Sequence, residues 1–278
     1  MSKTAVIPRI FHQTHSRRDL PAPIAANVAR LRAANPGWEY RFYDDSDRQA
    51  FILRECGERF LAAYRRIDPA YGAARADLFR YLLMYRVGGV YLDIKSSTNR
   101  PLDQIAAAAH GFQLAKWDNA PGGKHPNWGL HAALADVPGG EFQQWHIIAA
   151  PGHRFLAAVI DVVLDNIARY RPWRDDVGRD GVIKLTGPIA FTRAITPLLG
   201  GDDYRLADSN ANLGLEYSMF GNTDHQQLFG HHYTTNLDPV VRPRGLMVVP
   251  AVAYTAWRRL RRMAGRVRRS LLSPPVPR

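Results

Sequence analysis

The chain has 278 residues, 46% of them apolar and 22% charged, which allows a full hydrophobic core and excludes a disordered or membrane-spanning class. A lone cysteine, Cys56, excludes an internal disulfide and points to a reducing compartment in which the thiol is packing. The net charge of +12 is uneven: residues 239–278 hold ten arginines and neither acid nor lysine, leaving +2 for residues 1–238.

Residues 1–13 contain too short an apolar run for a signal-peptide core and no small-residue cleavage site after it, so the expected location is cytoplasmic. Residues 6–13 read as a first buried strand that delivers His12, Gln13 and Thr14 to its end. A short amphipathic helix over 24–35 follows, stopped by Asn35-Pro36-Gly37, and alternation over 38–43 predicts a second strand. Asp44 and Asp45 stand where a helix N-cap or a solvated turn belongs, and one helix is predicted from Ser46 to about Tyr64. Residues 73–86 form another, with Asp77 at the edge of its apolar stripe and Arg80 at i+3.

Val87-Gly88-Gly89 closes that helix, and Val90, Tyr91 and Leu92 make a short strand that ends at Asp93. A carboxylate at the carboxyl end of a buried strand is where open α/β sheets place ligand chemistry. Further on, the pattern predicts a helix over 104–109, strands over 111–117 and 145–150, a mobile loop over 119–127, and helices over 154–170 and 189–199. The loop Thr186-Gly187-Pro188 opens the last of these. No repeat or linker interrupts the body, which reads as one domain over 1–238 followed by a tail over 239–278. In the tail, Ala253, Trp257, Leu260, Ala264, Val267 and Leu271 recur at helical spacing among arginines. Such a basic amphipathic helix suits an anionic membrane surface, with docking on a partner protein or on nucleic acid as the alternatives. The near-neutral body and the lack of an RNA or DNA motif argue against a nucleic-acid partner.

Several segments resemble one family, the DXD-type glycosyltransferases of family 32, which includes initiating mannosyltransferases and capsular-polysaccharide transferases. The resemblance lies in Ile7-Pro8-Arg9-Ile10-Phe11-His12-Gln13, Asn35-Pro36-Gly37-Trp38, Ala76-Asp77-Leu78-Phe79-Arg80-Tyr81, Gly88-Gly89-Val90-Tyr91-Leu92-Asp93 and Arg100-Pro101-Leu102-Asp103, in the family's order. It implies an α/β fold of GT-A type, a Rossmann-like mixed sheet flanked by helices, with the basic helix appended. It also implies transfer of a hexose from a UDP- or GDP-sugar to a glycan or glycolipid acceptor, with retention, and the basic tail would hold such an enzyme at the inner face of the cell membrane.

Carried over residue by residue, the resemblance implies Asp93 as a catalytic residue, and Lys95, standing where the family usually has its second acid, is the other catalytic candidate. His12, Gln13, Asp77, Arg80, Tyr91, Asp93 and Gly187 are implied as donor contacts. A divalent cation, Mn2+ or Mg2+, would be held by Asp93 with His231 and His232. The departure from the family is Asp93-Ile94-Lys95 where Asp-x-Asp is usual. Three readings follow: Lys95 supplies the positive charge itself, a metal is held by Asp93, histidine and water, or the chain is an inactive binder of nucleotide-sugars or membrane surfaces.

Overall fold

The computed structural model describes residues 6–220 and 233–272, and the side chains of 6–220 and 234–264. The first half of the chain is built of β1 (Ile10–Thr14), α1 (Ala22–Ala34), β2 (Glu39–Tyr43), α2 (Asp45–Glu55), α3 (Glu58–Arg66), α4 (Gly72–Val87), β3 (Gly89–Leu92), β4 (Ser97–Thr98) and α5 (Leu102–Ala107). After these come β5 (Phe112–Ala115), β6 (His146–Ala149), α6 (Arg154–Arg169), α7 (Pro172–Asp175), α8 (Gly178–Leu185), α9 (Pro188–Ile195), β7 (Arg205–Ala207) and β8 (Leu215–Glu216). The C-terminal helix runs from Val248 to Leu272.

Six strands form one sheet in the order β2-β1-β3-β6-β5-β7, while β4 and β8 pair separately. Every neighbouring pair is parallel except those made by β6, which runs against both β3 and β5. The carboxyl ends of β1, β3 and β5 therefore share one edge with the amino end of β6, and that edge carries the site. Period-two alternation splits the core into two layers. Val90, Leu92 and Ile148 face α1 and α5, whereas Tyr91, Ile147 and Ala149 face α4, α6 and the helices beyond. Helices on both faces of a mostly parallel sheet are the doubly wound solution to burying it.

Asp44 caps α2 by accepting from the backbone amides of Ser46 and Asp47, and Asp47 returns a bond to the Asp44 amide. That reciprocal capping box satisfies donors the first turn would leave unpaired. The single helix expected up to residue 64 is two, because Gly57 at φ 94° turns the chain between α2 and α3. Helix α4 is buried on all sides, Asp77 and Arg80 included. It ends at Gly88 (φ 68°), and a side chain on Gly89 (φ 101°) would place its Cβ 2.4 Å from the Ile10 carbonyl oxygen. Only glycine lets β1 and β3 pair this close to the turn.

The expected division at 238/239 falls inside packed chain. Val240 and Val241 are buried, Val240 accepts from the Asp68 amide, and the Arg242 amide donates to Arg66. The loop over 119–127, expected to be mobile, is laced down. Asn119 Nδ2 donates to the carbonyls of Trp128 and Gly139, the Lys124 amide to Asp118 Oδ2, and the His125 amide to the Asp118 carbonyl.

Candidate active site

The shared strand edge opens into a cleft of about 890 Å³. This is near the upper end of the roughly 300–1,000 Å³ typical of ligand pockets. Strand order reverses between β1 and β3, the topological switch point at which such sheets bind ligands. Thr14, the last residue of β1, and His15 and Ser16 after it line one end, and Asp93, just past β3, lies in the middle.

Arg80 organises the centre. Its Nη1 lies 3.0 Å from Asp93 Oδ1 and its Nη2 lies 3.0 Å from Asp77 Oδ1. Nη1 also donates to the Gln144 carbonyl, and the guanidinium sits over the Tyr91 ring. Burial works against the Arg80 charge, but Asp93, Tyr91 and Asp77 together raise its pKa. Burial raises the Asp77 pKa, opposed by Arg80 and by the Thr186 hydroxyl, which donates to Asp77 Oδ2 at 2.8 Å. The Tyr91 hydroxyl donates to Asp93 Oδ1, so that oxygen is fully engaged while the carboxylate stays one-quarter exposed to the cleft. Asp93 Oδ2 has no protein partner among the described residues and is the oxygen left for a ligand.

Lys95 places its ammonium 3.9 Å from the centre of the Tyr217 ring, and no carboxylate lies within ion-pair distance among the described residues. Burial pushes its pKa down to about 8, opposed by Asp93. It is a cation held by a ring face and kept clear of neutralising partners. Its donor chemistry does not fit a hard dication, which takes six or more oxygen ligands. Among the described residues, no three carboxylate, histidine or cysteine side chains converge on a common point. His231 and His232 lie outside the described residues.

Gly187 lines the cleft and precedes α9, where a Cβ would press on Ile183 Cα at 2.8 Å. His12 and Gln13 are placed elsewhere than expected: both are fully buried beneath the edge. His12 Nε2 bonds the Gly88 carbonyl, and burial lowers its pKa to about 4, so it is a neutral tie between β1 and the glycine turn. Gln13 donates to the Asp93 carbonyl and accepts from the Tyr40 hydroxyl, holding the backbone on which Asp93 stands. Both support the site from below rather than facing a donor.

Sequence reasoning missed Gln144, whose buried side-chain oxygen has no partner and which lines the cleft beside Asp77 and Arg80. It also missed the aromatic wall of Trp117, Trp128, Trp145 and Tyr217. These residues come from distant segments, and no local pattern joins them.

A mixed α/β sheet flanked by helices, with a charged cleft at its switch point, is a GT-A-like fold. In agreement, the "PaToxG Glycosyltransferase" superposes with a TM-score of 0.50 over 69% of this chain and 70% of its own, at 15% identity. Residues 21–111 match the family model described as "Glycosyltransferase sugar-binding region containing DXD motif", with Asp93-Ile94-Lys95 at the place of the motif's acid pair.

Among curated relatives, "Inositol phosphoceramide mannosyltransferase 3" of Schizosaccharomyces pombe is 32% identical over 104 residues, 37% of this chain and 28% of the relative. "Initiation-specific alpha-1,6-mannosyltransferase" of the same yeast is 24% identical over 204 residues, 70% of this chain and 49% of the relative. "Mannosyl phosphorylinositol ceramide synthase CSH1" of Saccharomyces cerevisiae is 30% identical over 104 residues, 37% of this chain and 27% of the relative. The chain spans about half or less of the length of these relatives.

Proposed function

We propose that the protein is a nucleotide-sugar-dependent glycosyltransferase, moving a hexose, mannose foremost, from a UDP- or GDP-sugar to a hydroxyl of a glycan or lipid-linked acceptor. The observation that carries this reading is the Asp77–Arg80–Asp93 network opening into the switch-point cleft, within the matched region 21–111. In the reaction the bond from the anomeric carbon to the phosphate oxygen breaks, its electron pair leaving with the nucleoside diphosphate. The acceptor oxygen bonds that carbon on the same face, and its proton passes to the departing phosphate, so configuration is retained.

Asp93 Oδ2 orients donor hydroxyls, and Arg80 holds Asp93 while keeping a positive field under the reacting centre. Lys95 faces the growing negative charge of the diphosphate, the point-charge role that a buried lysine fills well. Gln144 presents an amide oxygen towards the positive charge that develops on the sugar ring.

The C-terminal helix docks on the body through Ala251 and Thr255, with Arg259 on Asp238 and Arg262 on the Thr235 carbonyl. Val249, Val252, Leu260 and Met263 are exposed, up to 76% for Val249, away from that contact, and Trp257 is half exposed beside them. An outward apolar arc between arginines is the geometry of a helix lying in a membrane interface. Among the described residues no helix is long and apolar enough to cross a membrane. A second cavity of about 640 Å³ under this helix shares Arg179 and Thr234 with the cleft, which supports a membrane-held acceptor reaching the cleft from this side. The expected home is the cytoplasmic face of the cell membrane. Truncation after Arg244 abolishes co-sedimentation with phosphatidylglycerol vesicles, whereas retained binding would remove the helix from this role.

The reading as a whole is tested by a thermal-shift screen of UDP- and GDP-sugars, with and without manganese. A bound donor at 100 times its Kd adds about 2.7 kcal/mol, a rise of several degrees. No shift with any donor would overturn the reading. A shift without diphosphate release, whatever the acceptor, would instead favour the inactive binder.

A further inference from the structure

The end of the cleft away from β1 is built differently from the rest. Trp117 follows β5 and Trp145 precedes β6, on the far side of β3 from Thr14 and His15, so Asp93 lies between the two ends. Trp117, Trp128 and Tyr217 meet edge to face at ring separations of 5.1–5.8 Å. Trp128 remains partly exposed on the laced loop. Beneath it, Glu141 accepts from Trp117 Nε1 at 2.7 Å and from His131 Nε2 at 2.6 Å. Gly129 (φ 73°) makes this possible, since a Cβ there would lie 2.7 Å from both Glu141 Cγ and Trp117 Cδ1. The loop is therefore pressed onto the Glu141 pair, and Trp128 is fixed beside it at the cleft wall.

We propose that this aromatic end is the acceptor subsite. It takes a pyranose or cyclitol ring whose apolar C–H face lies on Trp128 and whose hydroxyls reach His131 and Glu141. A ring polyol has one face of C–H bonds and a rim of hydroxyls. An aromatic plane beside a hydrogen-bonding carboxylate–imidazole pair complements both, in the way binding pockets combine apolar walls with a few fixed polar groups. The placement rests on the glycosyltransferase reading, because Asp93 in the middle assigns the β1 end to the nucleotide and leaves this end for the second substrate.

The test uses the full chain, the donor found in the thermal screen, and methyl α-D-mannopyranoside and myo-inositol as ring probes. Trp128→Ala is expected to raise the KM for the probe that is glycosylated at least tenfold. Donor hydrolysis to water and nucleotide affinity stay within twofold, and Trp128→Phe recovers part of the loss. An unchanged acceptor KM in Trp128→Ala would overturn the proposal, as would a loss of nucleotide affinity with acceptor KM unchanged, which would place the base on this wall. Tryptophan emission gives a readout independent of turnover. Quenching by the probes in wild type but not in Trp128→Ala supports the subsite even if no donor is consumed, and its absence in both counts against the subsite alone.

Discussion

Arg80→Met unfolds the protein about 10 °C or more below wild type and leaves no measurable sugar transfer. Arg80 is buried and bridges Asp77 and Asp93 at 3.0 Å each, so its removal leaves two carboxylates in one poorly solvated place. Breaking a buried ion pair by deleting one partner costs about 3–5 kcal/mol. For a chain of this size each kcal/mol moves the melting temperature by about 2–4 °C. The cause is separable from lost packing, because Asp77→Asn in the Arg80→Met background removes one of the stranded charges. The double variant should regain a substantial part of the melting temperature and none of the activity. Differential scanning calorimetry of the three variants checks this, and equal melting temperatures for the single and double variants would contradict it.

Lys95→Ala lowers turnover about 10²-fold, the usual loss when one preorganised charge facing a developing anion is removed. Wild-type turnover is unaffected by EDTA. Lys95→Asp, which restores the family's usual pair of acids, is inactive in EDTA and partly recovered by manganese. The reasoning rests on the ammonium of Lys95 over Tyr217 and on the lack of converging metal donors among the described residues. Nucleoside diphosphate release with and without chelator is the measurement. Wild-type activity that vanishes in EDTA and returns with manganese would transfer the charge-stabilising role from Lys95 to a metal.

The stretch from Gly88 to Asp93 was legible because its determinants are local: a helix stop, two glycines and an apolar run that can only be a buried strand. The pairing of Asp77 with Arg80 was legible for the same reason, being set by the i+3 spacing of one helix. What was not legible depends on contacts between distant segments. His12 looks like a strand-end ligand, but its partner is the Gly88 carbonyl, 76 residues away, and only the pairing of β1 with β3 reveals it. The helical pattern runs on through Cys56 and Gly57, so the break between α2 and α3 was hidden until the glycine's positive φ was seen. Trp117, Trp128, Trp145 and Tyr217 form a wall only once the sheet order brings the ends of β5 and β6 beside Asp93. The tail's apolar stripe was plain in its spacing, whereas the outward direction of Leu260 is fixed by Arg259 and Arg262 holding the other side of the helix to the body.

The most direct test of the central claim is nucleoside diphosphate release from the stabilising donor by Asp93→Ala, compared with wild type at saturating acceptor. Asp93 offers its one unengaged oxygen to the cleft, so the account predicts a fall of about 10²–10³-fold, the loss usual when a single preorganised group is removed, in protein that stays folded because Arg80 keeps Asp77 as its partner. Release by Asp93→Ala at the wild-type rate would contradict it.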